Sequence, residues 1–121
     1  MGEFRKATDE ARSLFSELTA GMDGDRKPMF GCPCLFLRGN MVCGTYADRI
    51  FFRIPRDLQA GVMESTPGVR LFEPIAGRPM RDYLELEAAE RHRPAIADLL
   101  ASSWTKAQAL PPKVKKGKKG A

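Results

Sequence analysis

Histidine and cysteine, the side chains that carry much of protein metal and nucleophile chemistry, are scarce in this chain. Its 121 residues include one histidine, His92, and three cysteines, Cys32, Cys34 and Cys43. His92 lies between Arg91 and Arg93 just ahead of a predicted helix, which reads as a solvated loop position with no acid–base partner beside it. No apolar run approaches the roughly 18 residues that a membrane-spanning helix needs. The first residues, Met1 to Lys6, lack the apolar core of a signal peptide. The expectation is a cytoplasmic protein without membrane contact. No nucleophile stands beside a base, and no glycine-rich loop is shaped to cradle phosphate. The sequence therefore singles out no catalytic residue and calls for no cofactor.

What is present is ordinary for one globular domain: 43% hydrophobic and 29% charged residues in a length that supports a single core. The net charge is +5, but its placement is uneven. Lys113, Lys115, Lys116, Lys118 and Lys119 fall within the last eleven residues, which hold no acid. Without those five, fifteen basic residues balance fifteen acids. The sequence thus divides into a neutral body, 1–110, and a lysine-rich tail, 111–121, that cannot bury a core and is expected to be disordered.

Periodicity organises the body. Phe4, Ala7, Ala11, Leu14, Phe15 and Leu18 recur at helical spacing, predicting an amphipathic helix over 4–20. Two apolar runs around Gly39-Asn40 predict a β-hairpin within 29–44, turning at those two residues. A third strand follows at 50–54, and Pro55 suits the first turn of a short helix with Leu58 and Val62 on one side. Pro67-Gly68 turns into a strand at 69–72, and alternation at Met80, Leu84 and Leu86 predicts another over 80–86. Pro94 opens a last helix through Ile96, Leu99, Leu100 and Trp104, ending before Pro111-Pro112. The order is α-β-β-β-α-β-β-α. Short links demand antiparallel pairing, so the expected class is a two-layer α+β domain: a five-stranded antiparallel sheet with helices on one face.

Several short pieces together resemble one family. They are Met29-Phe30-Gly31, Gly39-Asn40-Met41, Cys43-Gly44, Phe52-Arg53-Ile54, Phe72-Glu73-Pro74, Gly77-Arg78-Pro79-Met80, Trp104 and Leu110-Pro111-Pro112-Lys113. In order and spacing they are similar to the N-terminal domain of the TfoX/Sxy regulators of bacterial competence. The resemblance implies a non-catalytic regulatory or interaction domain. It supplies no catalytic residues, and Cys32 stands where the family has a further glycine. Full-length relatives carry a second, helical domain where the lysine tail begins here.

Three candidate sites remain. With the turn at Gly39-Asn40, Phe36 faces Cys43, and Cys32, Cys34 and Cys43 project from one face of the hairpin. Three converging thiols suit a soft metal, but a fourth ligand is lacking and small buried hydrophobes explain them better. Arg70, Arg78 and Arg81 could gather as an anion site, since guanidinium forks suit carboxylates and phosphates. The blander alternative has Arg70 and Arg81 on a solvent face, pairing with Glu85 or Glu73. The tail lysines, Lys113 to Lys119, could contact nucleic acid weakly through its phosphates. Finally, the hairpin is apolar on both faces, which predicts a homodimer or protein partner on the face away from the helices.

Overall fold

A computed structural model describes residues 5–29 and 31–113. Its first helix, α1 (Asp9–Leu18), starts where the Thr8 hydroxyl accepts a hydrogen bond from the Ala11 N–H, with Asp9 and Glu10 in the first turn, where the helix dipole favours acids. Residues 5–8 are not helical, and Thr8 itself is extended. Four strands follow as a meander: β1 (Asp25–Met29), β2 (Cys32–Leu37), β3 (Asn40–Tyr46) and β4 (Arg49–Arg53). Helix α2 (Arg56–Ser65), the short β5 (Arg70–Leu71), β6 (Tyr83–Glu87), a 3-10 turn (Glu90–His92) and helix α3 (Arg93–Gln108) follow among the described residues. The sheet order is β1-β2-β3-β4-β6-β5, and every pairing is antiparallel. The α+β class holds, with six strands rather than five.

The added strand is β1. Asp25, Arg26, Lys27 and Pro28 are all exposed, so it carries no apolar alternation, and an edge strand needs none. Pro28 is tolerated there because one side of an edge strand requires no ladder donor.

Two features of β2 and β3 correct the predicted hairpin. The turn is Arg38-Gly39, closed by Leu37 opposite Asn40, with φ +50° and +85°, the left-handed pair that suits a two-residue hairpin. A bulge also interrupts the ladder: Leu35 faces Cys43, but Phe36 faces Met41, so Val42 is the extra residue. Slipping the register by one residue exchanges the two faces of a strand. Val42 and Cys43 therefore both join the helix-side core, while Cys34 and Met41 join the opposite one. The Met41 carbonyl beside the bulge accepts from Arg53 Nε at 2.9 Å and from the Tyr83 hydroxyl at 3.2 Å.

Each face of the sheet has its own core. On one, Leu14 and Phe15 of α1 and Ile96, Leu99 and Leu100 of α3 pack on Leu35, Val42, Ile50, Phe52, Leu84 and Leu86. On the other, Cys32, Cys34, Met41, Tyr46, Phe51 and Tyr83 are buried with Ala7 and Phe72, and the half-buried Met80 packs against them. Phe72 stacks on Phe51 with ring centres 4.1 Å apart, and Tyr83 meets Phe51 edge-on at 5.7 Å. The chain thus covers its own second face here. Side chains that follow β5, Phe72 and Met80, cover part of the face on which a symmetric partner was expected.

Candidate functional site

Glu85 sits in the middle of β6 yet is only 2% exposed, which a carboxylate tolerates only with strong partners. It has two. Arg49 of β4 donates to both carboxylate oxygens, at 2.9 and 3.0 Å, and Arg70 of β5 donates Nε to Oε2 at 2.5 Å. These arginines are placed by register, since Glu85 lies between Phe51 and Arg70 across the two ladders. The Arg70 side chain is half exposed, and beside it Pro67, Gly68, Glu87, Arg91 and His92 line a cavity of about 370 Å³. Neither Arg78 nor Arg81 lines that cavity. Both are exposed: the Arg78 N–H closes a turn onto the Ile75 carbonyl, and the Arg81 carbonyl accepts from buried Gln59. Of the three proposed anion-site arginines, only Arg70 reaches this cavity, and its guanidinium is already engaged by Glu85; the blander reading anticipated that pairing but placed it on a solvent face, whereas Glu85 is buried. His92 is half-buried beside Gly68 rather than fully solvated.

The cysteines do not converge. Cys32 and Cys34 lie in one core and Cys43 in the other, separated by the sheet itself. The expectation of one shared face fails because the bulge at Val42 shifts the register. Burial pushes the Cys34 thiol up to about 12 and raises the Cys43 thiol further, each holding the thiol protonated. Such thiols are poor nucleophiles and poor metal ligands. Among the described residues no group of three or more His, Cys, Asp or Glu is placed to hold a metal ion.

The third candidate begins where α3 ends. Arg38, at its left-handed turn position, donates Nη2 to the Gln108 and Leu110 carbonyls at 2.8 and 2.9 Å. Asn40 donates to the Pro111 carbonyl at 2.9 Å, and the Lys113 N–H to the Arg38 carbonyl at 2.9 Å. These bonds hold the segment from Gln108 to Lys113 against the tip of the hairpin. A strained non-glycine φ persists only where surroundings fix it, and here the strained residue is the one that grips the segment. Lys113 thus lies on the body, while Lys115, Lys116, Lys118 and Lys119 fall outside the described residues.

One basic grouping was not legible in the sequence. Arg12 of α1 and Arg26 and Lys27 of β1 line a single cleft, although they belong to separate elements. The neutral charge total of the body conceals it.

No helix among the described residues is long and apolar enough to cross a membrane. No family profile, curated protein or solved structure matches this chain.

Proposed function

We propose that this chain is a non-catalytic regulatory or interaction domain, akin to the N-terminal domain of the TfoX regulators, that contacts nucleic acid weakly through its lysine-rich tail. The observation that carries the reading is the fastening of Gln108 to Lys113 onto the hairpin tip. It makes the tail's lysines start from a fixed point on the body, so that a tail contact is also a contact of the domain. The state of the other candidates agrees: buried thiols are held protonated, and the Arg70 fork is engaged by Glu85.

The test is titration of a labelled 20-base-pair duplex at several salt concentrations. Replacing Lys115, Lys116, Lys118 and Lys119 with glutamine removes up to four phosphate contacts. The slope of log affinity against log salt should shrink by about 3 to 4, at about 0.9 per contact. An unchanged affinity and slope would overturn the tail's role.

A further inference from the structure

The fold leaves part of one cation at the hairpin tip unused. Arg38 is exposed and, with φ +50°, holds the left-handed turn position ahead of Gly39. Its Nη2 is spent on the Gln108 and Leu110 carbonyls, at 2.8 and 2.9 Å. Of the five guanidinium N–H groups, the three on Nε and Nη1 are left for an external acceptor. Among the described residues no carboxylate lies within salt-bridge distance of Arg38, whereas Arg49, Arg56, Arg70, Arg91 and Arg93 each have one.

The grip on those carbonyls orients the guanidinium before any ligand arrives. The same carbonyls lie at and just past the end of α3, the negative pole of that helix, and Arg38 covers them. They carry partial charge only, so the guanidinium keeps most of its own. Asp25 faces Phe36 across the β1–β2 ladder, two residues from Arg38, and makes no ion pair with it. An oriented guanidinium with free donors and no carboxylate is suited to a phosphate oxygen.

A second observation selects the kind of phosphate. The Lys113 N–H donates to the Arg38 carbonyl at 2.9 Å, and Lys113 Cβ lies 3.0 Å from where a Cβ on Gly39 would stand. The Arg38 and Lys113 side chains therefore leave from one turn. Lys113 is also the first of the five closely spaced lysines. From 113 to 119 the chain reaches up to about 20 Å, a length over which duplex DNA presents about twelve phosphate charges. A row of cations that begins at an anchored pair matches a repeating polyanion better than one small phosphate.

We propose that Arg38 and Lys113 hold a phosphate of the nucleic-acid backbone at the hairpin tip, so that the body shares the contact made by the tail. The inference takes its ligand class from the tail reading and adds a residue of the body to it. Arg38 then has two duties: Nη2 fastens the strap, while Nε and Nη1 meet the phosphate. The probe is the double variant Arg38→Gln, Lys113→Gln, with thermal unfolding to check the fold. Arg38→Lys keeps the charge and gives up the guanidinium's double grip on the strap, which separates phosphate contact from fastening. Lys6→Gln is the control for net charge: it is exposed, and the Thr8 N–H beside it bonds to the Ala47 carbonyl at the other end of β3, about 20 Å from the tip.

In the full chain the double variant should lower duplex affinity more than tenfold near 0.1 M salt and reduce the salt slope by about 2, at about 0.9 per lost phosphate contact. Arg38→Lys and Lys6→Gln should both keep the wild-type slope. If Arg38→Lys loses as much slope as Arg38→Gln, or Lys6→Gln as much as either, the phosphate contact at Arg38 is overturned. The chain whose Lys115, Lys116, Lys118 and Lys119 are glutamine should keep a residual, sequence-insensitive affinity that the double variant abolishes. If that tail variant loses all binding and the double variant leaves the slope unchanged, the hairpin-tip contact falls and the tail stands. If the tail variant binds like wild type and the double variant does not bind, the tip stands and the tail reading falls. Absence of duplex binding by the wild type in about 20 mM salt would overturn both. Tighter binding of a polyglutamate peptide than of duplex at equal charge and salt would overturn the nucleic-acid assignment in favour of an acidic protein.

Discussion

Phe51 and Phe52 are neighbours in one strand, but they enter two different interiors. Phe52 joins a mainly aliphatic layer that α1 and α3 close, built on side chains repeating at helical and strand periods. Phe51 joins a layer of aromatic rings and thiols, covered by Phe72 and Met80 and, among the described residues, by no helix, at whose margin Glu85 is clamped by two arginines. The first interior is nonspecific in its chemistry. Any apolar side chain of the right volume serves. The second depends on ring geometry and on polar groups that must all find partners. A helix layer is thus not the only way to bury a sheet, and the two solutions should fail differently.

The largest test of that contrast is truncation of the two rings. Phe51→Ala and Phe52→Ala should each cost about 3–5 kcal/mol in denaturant unfolding, the usual loss for a fully buried phenylalanine. If Phe51→Ala costs under about 1 kcal/mol, the second layer is not a core and the comparison breaks. Next comes Glu85→Ala. Stripping one partner from a buried ion cluster costs up to about 5 kcal/mol, but Arg70 can swing into water, so about 2–3 kcal/mol is expected. Arg70→Ala, removing a half-exposed partner, should cost less than about 1 kcal/mol. Equal losses would show that Arg49 alone does not hold the carboxylate.

Gly44 sharpens the difference in packing. A methyl group there would meet the Phe51 ring at 2.7 Å and press on the Cys34 sulfur, so Gly44→Ala should destabilise by about 1–3 kcal/mol. At Gly61 of α2 nothing lies within 4 Å, and Gly61→Ala should instead stabilise by about 0.5–1 kcal/mol.

A further effect is alkaline. Burial raises Tyr83 from 10.0 to about 12 and Cys34 from 9.0 to about 12. Both groups favour the protonated form in the fold, so their contribution is complete below the unfolded values. It is lost as pH climbs from near 9 toward 12. Urea midpoints should therefore fall above about pH 9, and less steeply in Cys34→Ala. At neutral pH the native cysteines Cys34 and Cys43 should resist iodoacetamide until urea unfolds the chain. Prompt alkylation of either would contradict their burial.

The helix-side layer was largely readable from the chain because both of its periods are written in apolar residues. Ile96, Leu99 and Leu100 repeat as a helix does, and Ile50, Phe52 and Ile54 as a strand does, with no competing signal. β1 was not readable, since an exposed edge strand containing Pro28 has no periodicity to show. The hairpin's partner residues were misread for a different reason. A bulge at Val42 leaves the composition of the run unchanged and moves every later pairing by one, so Cys43 crosses to the other face. The Arg70–Glu85 pair could be anticipated from two adjacent strands, but the depth of Glu85 could not, because it depends on Arg49 arriving from a third. Arg12 and Lys27 share a cleft only after α1 and β1 are folded side by side.

The strand order has a consequence for the growing chain. β1 to β4 are consecutive and can zip together as soon as residue 53 is free, each contact being local. β6, however, belongs between β4 and β5, and β4 waits some thirty residues for it. Throughout that interval the Arg49–Arg53 edge, with Phe51 and Phe52 at its centre, offers unpaired backbone to any other nascent strand. Its flanking arginines act there as charged wardens against self-association. The same residues that later anchor a carboxylate and a bulge carbonyl would serve first as protection during synthesis.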